Sequence, residues 1–397
     1  MKKNKEETFL NKQLIHEFME LVNNNEIFFH KPELVSLFNL ICTFKDRIGT
    51  AVNYLNSHEE RPTTEEDFIA FIVYACMIYD GFNKMHENLL HQIPIYKGKR
   101  KYFKDAKQFK EFYFDDDTCP TDDVFFEYLR AMAFAHPYEV DKRKDRLFMQ
   151  DGEKHYCPWV VVNNFMNFDD IEDSVGIRIY TSANQEDMFS LTFSFNNLKE
   201  YIKSVYNTFP ALIEWATNII NGQNEEWKLT KVNRKQDGIK IMQEIKSILD
   251  SRFANTYTID TAISYLTCKT TNSLNDKNIQ IFRDKIIEYI PKVCDCVDKL
   301  DYEGMESALS FLSETPEKMH QMAYYQLEKI YSYLDKRSKV IDTTSNEFWG
   351  LQQAYDFSQE FAKKWVIIDV KTMEYDEIKL LVAVACYLEK QEQLKEK

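Results

Sequence analysis

Scarcity of glycine and proline is the feature that most constrains the fold of this chain. Nine of each occur in 397 residues, and the stretches between them are rich in leucine, glutamate, lysine, glutamine, methionine and isoleucine. These residues favour helices, whereas sandwiches and glycine-looped nucleotide folds need more turn residues. The sequence therefore predicts a mostly α protein built from helical bundle domains. Its length allows two or three domains, because single cores usually stop growing at about 250 to 300 residues.

The periodicity changes between residues 156 and 196. Three segments there, 159–162, 176–181 and 189–195, are β-branched, aromatic or alternating, with polar turn residues between them, and such runs are typical of strands. Three strands with an apolar face need a covering helix, which residues 198–220 offer. We predict a small antiparallel β-meander insert.

A linker is predicted at residues 221–224, Asn-Gly-Gln-Asn, because glycine and asparagine favour helix termination. The chain then divides into a helical domain over residues 1–150, the β-meander with its covering helix over 151–222, and a C-terminal helical domain over 223–397. Within the first domain, Thr63 and Glu66 form a capping box, and the helix that follows is predicted to run to about Leu90.

The charge pattern combines an acidic whole with two basic clusters. The net charge of −14 argues against a protein that coats nucleic acid generally. The first cluster contains Lys97, Lys99, Arg100, Lys101, Lys104, Lys107 and Lys110, interleaved with Tyr102, Phe103 and Phe109, and the second contains Lys142, Arg143, Lys144 and Arg146. Acidic residues lie among the cations of both clusters. The clusters therefore fit either ordinary solvent-exposed faces or an RNA-binding surface.

Neither a membrane segment nor a metal or other cofactor is predicted. No uninterrupted run of about 18 apolar residues occurs, and no signal-type apolar region follows the charged start, so we expect a cytoplasmic protein. Cys294 and Cys296 lack the spacing and the second pair of a structural zinc site. His86 and His91 are five residues apart, which is expected to place them on different faces of a helix.

The segment with the clearest chemical potential is a helix predicted over residues 122–135. Its apolar stripe consists of Val124, Phe125, Tyr128, Leu129, Met132 and Ala133. Glu127, Arg130 and Phe134 fall on the opposite side, and Glu127 is expected to pair with Arg130 three positions later. His136 precedes Pro137, and a residue before proline is disfavoured in α geometry, so the helix is predicted to end beside this imidazole.

Arg130 and His136 can converge only because the helix ends there. A continued ideal helix would separate the two side chains by about 120° in azimuth and about 9 Å in rise. Arginine keeps its charge in proteins, whereas histidine exchanges a proton near neutral pH. The two residues therefore predict a phosphate-handling pair. The alternative is an ordinary helix end at which the imidazole caps carbonyl groups.

This arrangement resembles the HEPN superfamily (higher eukaryotes and prokaryotes nucleotide-binding), helical domains whose ribonuclease members carry an arginine, four to six residues and a histidine. Arg130, five residues and His136 fit the pattern, and an acidic residue, Glu127, precedes the arginine, as is common in such proteins. The resemblance covers about residues 60–148. Ala131 departs from the polar residue, often asparagine, that many catalytic members carry after the arginine.

The resemblance implies metal-independent endoribonuclease cleavage, in which the RNA 2′-hydroxyl attacks the adjacent phosphorus. It implies that His136 acts as general base or acid, that Arg130 stabilises charge on the phosphate, and that Glu127 orients Arg130. One motif is present, so a complete site implies a homodimer. The expected RNA-binding residues are Lys99, Arg100, Lys101, Lys104, Lys142 and Arg143, with Tyr102, Phe103 or Phe109 available for base stacking.

By analogy with such domains, the protein is expected to be a toxin or phage-defence effector whose C-terminal domain senses a trigger, binds a regulatory protein or mediates assembly. The alternative function is a catalytically inert helical scaffold or antitoxin that binds another protein. Ala131 favours the inert alternative, and the flanking cations favour RNA.

Overall fold

The computed structural model describes residues 8–89, 91–108, 112–113, 118–162, 173–183, 188–335 and 343–396. The chain divides into two compact units, Met1–Asn221 and Gly222–Lys397. Most of the described residues are helical and one small antiparallel sheet lies in the first unit, so the predicted fold class is confirmed.

The first unit places helices before, between and after the strands of the sheet. Its elements are α1 (Lys12–Asn23), α2 (Ile27–His30), α3 (Pro32–Ser57), α4 (Glu65–Asn88), β1 (Lys107–Gln108), β2 (Phe112–Tyr113), α5 (Asp122–Arg130), a π-helical turn (Ala131–Ala135), β3 (Val140–Asp141), β4 (Lys154–Tyr156), β5 (Val160–Val161), β6 (Ser174–Thr181), β7 (Met188–Ser194), α6 (Phe195–Tyr206) and the part of α7 (Phe209–Leu229) that precedes Gly222.

The sheet has the order β2-β1-β7-β6-β4-β3, and β5 also pairs with β6. The predicted meander is present as β5, β6 and β7, with Ile177 opposite Leu191 in the central pair. The sheet also recruits β1, β2 and β3, which come from residues before 150. These strands are two residues long, so they carry too little alternation for a pattern to detect.

Helix α4 is the long amphipathic helix that the sequence predicts. It begins one residue later than expected, because the side chain of Thr64, and not that of Thr63, accepts the backbone N–H of Asp67 at 3.1 Å. Among the described helices, α4 is the one that is long and apolar enough to cross a membrane, judged by length and composition alone. Half of its most apolar 18-residue stretch is buried inside the protein. It packs against α3 and α6, as the core helix of a globular unit does.

Helix α5 is anchored at its N-terminus by two buried carboxylates. Asp122 accepts the backbone N–H groups of Tyr102 and Phe103 at 2.9 and 3.1 Å, and Asp123 accepts that of Gly98 at 2.8 Å. The N-cap Thr121 makes no side-chain capping bond to this helix, and both acids bind the preceding loop. This loop carries Lys97, Lys99, Arg100, Lys101 and Lys104 of the first basic cluster.

Helices α8 (Gly238–Ser251), α9 (Tyr257–Thr267), α10 (Asp276–Lys299), α11 (Tyr302–Ala308), α12 (Ala323–Tyr333), α13 (Thr343–Glu360) and α14 (Tyr375–Lys395) form the second unit, with 3₁₀ turns at Ser273–Asn275, Ser310–Leu312 and Ala362–Lys364. Helix α14 is the central helix of this unit, since every residue from Glu377 to Leu388 is buried.

The linker predicted at residues 221–224 is wrong in its local structure. These residues lie inside α7, which continues to Leu229. A Cβ added at Gly222 would meet no atom within 4 Å, so the structure does not require a glycine at this position. Glycine inside a helix lowers stability by roughly 0.5–1 kcal/mol relative to alanine. The flanking residues of α7 compensate for this loss, and the helix continues.

Candidate active site

The candidate site lies where α5 changes into the π-helical turn. Arg130 is the last residue of α5, and His136 donates its backbone N–H to Ala131 O at 2.8 Å, which closes a ring one residue wider than in an α-helix. His136 has φ −143° and ψ 52°, so the helix ends before Pro137, as predicted. Single π turns inside helices are frequently found at functional sites.

Arg130 is held by a carboxylate from another helix. Its Nη1 lies 2.7 Å from Oδ1 and 2.6 Å from Oδ2 of Asp80 on α4. Partial burial lowers the pKa of the guanidinium, but the charge and hydrogen bonds of Asp80 outweigh this effect and raise it. The guanidinium therefore has a fixed position, and one third of its side chain stays exposed.

Glu127 does not pair with Arg130, contrary to expectation. Its Oε1 accepts the Tyr79 hydroxyl at 2.7 Å and its Oε2 accepts Arg143 Nη2 at 2.6 Å. Burial alone would raise the pKa of Glu127, but these two hydrogen bonds and the nearby guanidinium groups have a larger effect and lower it overall. The carboxylate is therefore ionised near neutral pH. Glu127 therefore holds Arg143, and Asp80 takes the orienting role that the resemblance gave to Glu127.

A cavity of about 460 Å³ opens beside Arg130 between α3, α4 and the π turn. Its lining is mostly apolar and includes Leu40, Phe44, Ile48, Val73, Met77 and Phe134. Arg47 on α3 also lines it, is exposed, and makes no ion pair within the described ranges. Cys76 lies in the same wall, and burial raises its pKa to about 12, so its thiol is not a nucleophile near neutral pH.

His136 stands just beyond this cavity, next to Ala135 in its wall. The residue is exposed, and its imidazole makes no hydrogen bond or ion pair with any residue that the structure describes. The backbone after it is fixed, because Pro137 O accepts Cys157 N–H at 2.8 Å. Two residues further on, Tyr138 is 89% exposed, so an aromatic ring accompanies the free imidazole at the surface.

Comparison with protein-family models, curated proteins and solved structures gives no match for this chain. The likeness to the HEPN superfamily thus rests on the motif of Arg130 and His136.

The predicted RNA-binding residues occupy two places in the first unit. Lys99, Arg100, Lys101 and Lys104 are exposed on the loop that Asp122 and Asp123 anchor, at the N-terminal end of α5. Lys142 and Arg143 follow β3 and are both paired, Lys142 with Asp151 at 2.9 Å and Arg143 with Glu127. The loop and Arg130 are separated by ~12 Å of helix, from the rise of α5.

Two of the three aromatic residues expected to stack on bases are not available for it. Tyr102 and Phe103 are buried, and the Phe103 ring stacks on that of Phe125 at 4.4 Å between centroids. Phe109 lies outside the described residues. Arg146 of the second basic cluster is also buried: it lies 5.4 Å from the centre of the Tyr128 ring, and Nη1 donates to Asp141 O.

His86 and His91 come together, which their spacing did not predict. Their ring centres are 4.4 Å apart, because α4 ends at Asn88 and His91 adopts a left-handed backbone with φ 61°. His86 Nδ1 also contacts the carbonyl of Ile93. No group of three or more His, Cys, Asp or Glu side chains placed to hold a metal ion occurs in the described part of the chain.

A buried polar cluster lies beneath the site on the other face of α5. Tyr128 O–H and His155 Nδ1 are 2.6 Å apart, and His155 Nε2 lies 3.0 Å from Glu153 Oε1 without hydrogen-bonding geometry. Burial lowers the pKa of His155, and Glu153 offsets this effect only in part. The neutral imidazole packed against Tyr128 fixes the orientation of α5 relative to β4.

Three residues of the site escaped prediction from the sequence. Asp80 and Arg47 come from α4 and α3 and reach Arg130 and its cavity only through tertiary packing, so no spacing within the 122–136 segment could indicate them. Tyr138 was detectable, since an aromatic residue directly after His136-Pro137 follows a predicted helix end and is expected near the surface.

Proposed function

We propose that this chain is a metal-independent endoribonuclease whose catalytic residues are Arg130 and His136. The observation that carries the proposal is the exposed imidazole of His136, without a partner among the described residues, at the end of the π turn that begins beside Arg130. Most exposed charged and titratable groups around His136 are paired, whereas the His136 imidazole is available to a substrate. A cytoplasmic location and a role as a toxin or phage-defence effector belong to the same proposal.

The residues suit cleavage by the RNA's own 2′-hydroxyl. His136 accepts the 2′-hydroxyl proton, the oxygen attacks the adjacent phosphorus, and the bond from phosphorus to the 5′-oxygen breaks. The leaving oxygen takes up a proton, which gives a 2′,3′-cyclic phosphate and a 5′-hydroxyl end. Asp80 engages one nitrogen of Arg130, and a guanidinium has five N–H donors, so donors are left for the phosphate oxygens.

The surroundings of the site suit an RNA strand. Arg47 lines the cavity beside Arg130 and offers a second cation, and Tyr138 offers an exposed ring for a base. Lys99, Arg100 and Lys101 lie at the far end of α5, within the reach of a few nucleotides. The proposal includes a homodimer, because the chain carries one motif and the HEPN resemblance implies that two meet.

A second candidate function is an inert helical scaffold that binds another protein. The observation that favours it is the pairing of Arg130 with Asp80, because a carboxylate at this place repels a phosphate and neutralises the guanidinium. Ala131, which is buried, adds to this argument because it replaces the polar residue of many catalytic HEPN proteins.

Incubation of the purified chain with cellular RNA in EDTA separates the two functions. We expect cleavage that survives chelation, yields 2′,3′-cyclic phosphate ends, and is lost in Arg130→Ala and His136→Ala. The matched control is His30→Ala, an exposed histidine of α2 paired with Glu26, which is expected to retain activity. Cleavage that persists in both site variants, or a wild type that neither cleaves nor binds RNA, overturns the proposal and favours the scaffold.

A further inference from the structure

The cavity of about 460 Å³ between α3, α4 and the π turn changes in character from its floor to its rim. The lining side chains that are buried carry no charge, and they are Phe44, Ile48 and Cys76. Apart from Ala135, the lining residues that are exposed are polar, and they are Thr43, Arg47 and Asp80. A ligand that fills this cavity therefore needs an apolar body for the floor and a polar end for the rim.

The floor is suited to a hydrocarbon chain. Phe44 and Ile48 come from α3, Val73 comes from α4, and Phe134 comes from the π turn, so apolar side chains line it from three segments. The protonated thiol of Cys76 adds to this surface, because a neutral cysteine behaves as a small apolar residue. A hydrocarbon chain gains free energy against such a wall, whereas a nucleobase would find few partners there for its polar edge.

The rim carries one positive charge that no described residue compensates. The guanidinium of Arg130 is paired with Asp80, which lies 2.7 and 2.6 Å from its Nη1 through the two carboxylate oxygens. Arg47 is exposed and makes no hydrogen bond or ion pair with any residue that the structure describes. Two cations and one anion leave the charge of Arg47 available, and a guanidinium binds a carboxylate through two parallel N–H bonds.

Charge and size together narrow the class of ligand. The volume falls within the range of small-molecule sites. A neutral apolar ligand would leave Arg47 without a partner, and a ligand with several negative charges would be repelled by Asp80. A single carboxylate at the end of an apolar chain meets both conditions.

We propose that this cavity binds a fatty carboxylate, with its hydrocarbon chain against the apolar floor and its carboxylate on Arg47. The site shares its Arg130 wall with the proposed ribonuclease site. The fatty-carboxylate proposal goes beyond that function and does not depend on it, because binding is measured without RNA.

The test titrates the full chain with decanoate by calorimetry near neutral pH, and compares decanol and butyrate. We expect a single decanoate to bind per chain. Decanol keeps the chain but cannot form a charge-assisted pair with a guanidinium, so it is expected to bind about tenfold more weakly or worse. Butyrate keeps the carboxylate but loses most of the apolar chain, so it is expected to bind about a hundredfold more weakly or worse.

Two variants locate the two ends of the ligand. Arg47→Gln is expected to weaken decanoate binding about tenfold and to leave decanol binding unchanged, because only decanoate uses the guanidinium. Val73→Phe fills the cavity from a half-buried position on α4 and is expected to abolish the binding of both. The matched control is Lys45→Gln, which removes a positive charge from α3 outside the lining, where Lys45 donates to Asn23 at 3.0 Å, and it is expected to bind decanoate like the wild type.

Four results would overturn the proposal. They are the absence of decanoate binding to the folded wild type at millimolar concentration, the binding of several decanoate molecules per chain, decanol binding as tight as that of decanoate, and unchanged decanoate binding by Arg47→Gln. Because Arg47 is exposed and has no partner among the described residues, Arg47→Gln keeps the test decisive if Val73→Phe fails to fold.

Discussion

Asp80 accepts hydrogen bonds from Arg130 through both carboxylate oxygens, at 2.7 and 2.6 Å from one guanidinium nitrogen, across 50 residues of sequence. The Arg130 side chain is one third exposed and that of Asp80 more than half exposed, and ion pairs near the surface typically contribute about 0–1 kcal/mol to stability. Its consequence is therefore orientation: the guanidinium is fixed at the mouth of the cavity and beside the π turn that leads to His136.

The first prediction concerns this orientation. Asp80→Asn is expected to lower the rate of EDTA-resistant RNA cleavage by about 10- to 100-fold, because a misplaced catalytic group loses effective alignment. Its free energy of unfolding is expected to change by less than about 1 kcal/mol. Urea unfolding and single-turnover cleavage measure the two effects.

Glu87→Gln on the same helix is the matched control, since Glu87 is exposed and pairs only with Lys84 among the described residues. It is expected to leave both quantities unchanged. A gain of cleavage in Asp80→Asn would contradict the prediction, because it would mean that the carboxylate competes with the phosphate for Arg130.

The second prediction concerns Tyr138 as a base platform. Tyr138→Ala is expected to weaken RNA binding by about 1–3 kcal/mol, the usual value of stacking one base on an aromatic ring. Tyr138→Phe keeps the ring and is expected to bind like the wild type. Fluorescence anisotropy with a short single-stranded RNA measures both, and equal affinity of the alanine and wild-type proteins would rule out stacking here.

Local patterns explain which parts of the structure were predictable. The helix ending at His136-Pro137 and the strands of the meander depend on periodicity and on proline geometry within a few residues, and both are present. The helix through Asn221–Asn224 was not predicted, because the apolar face of α7 outweighs the turn preference of glycine and asparagine.

The candidate site was predictable only in part, because some of its contacts join segments that are far apart in the sequence. The positions of Arg130 near the end of the helix and of His136 directly after it follow from the local sequence pattern. The replacement of Glu127 by Asp80 as the partner of Arg130 depends on how α4 packs against α5, and the burial of Tyr102 and Phe103 depends on their contact with the anchoring carboxylate of Asp122. No spacing within one segment contains this information.

The third prediction concerns that anchor. Asp122 is fully buried and accepts backbone N–H groups of Lys101, Tyr102 and Phe103 as well as the Tyr96 hydroxyl. Asp122→Ala leaves these donors without their acceptor and is expected to destabilise the first unit by about 3 kcal/mol or more in chemical unfolding. The control Asp105→Ala, exposed in the same segment, is expected to stay within about 0.5 kcal/mol. A small effect at Asp122 would mean that the loop folds without it.

The fourth prediction compares two glycines. An added Cβ at Gly176 in β6 would clash with the backbone oxygen of Leu191, so Gly176→Ala is expected to destabilise the first unit by about 2 kcal/mol or more, because the β7 backbone must move. Gly222→Ala meets nothing within 4 Å inside α7 and is expected to gain about 0.5–1 kcal/mol. Thermal unfolding of both variants decides the matter, and a loss at Gly222 would argue against a continuous α7.

The fifth prediction concerns the pH dependence of stability that His155 confers. Burial lowers its pKa in the folded state below the ordinary value near 6.5, so the unfolded chain binds the proton more readily. The stabilisation from the neutral imidazole is therefore present above about pH 6.5 and is lost as the pH falls through the folded-state pKa, with a slope of at most about 1.4 kcal/mol per pH unit.

The variant His155→Gln tests this expectation. It lowers stability at every pH because the Tyr128 hydroxyl loses its partner, so the decisive quantity is the slope of the unfolding free energy between pH 7 and pH 5. Urea unfolding across this range is expected to give a shallower slope for the variant, and parallel curves would show that His155 does not titrate with unfolding.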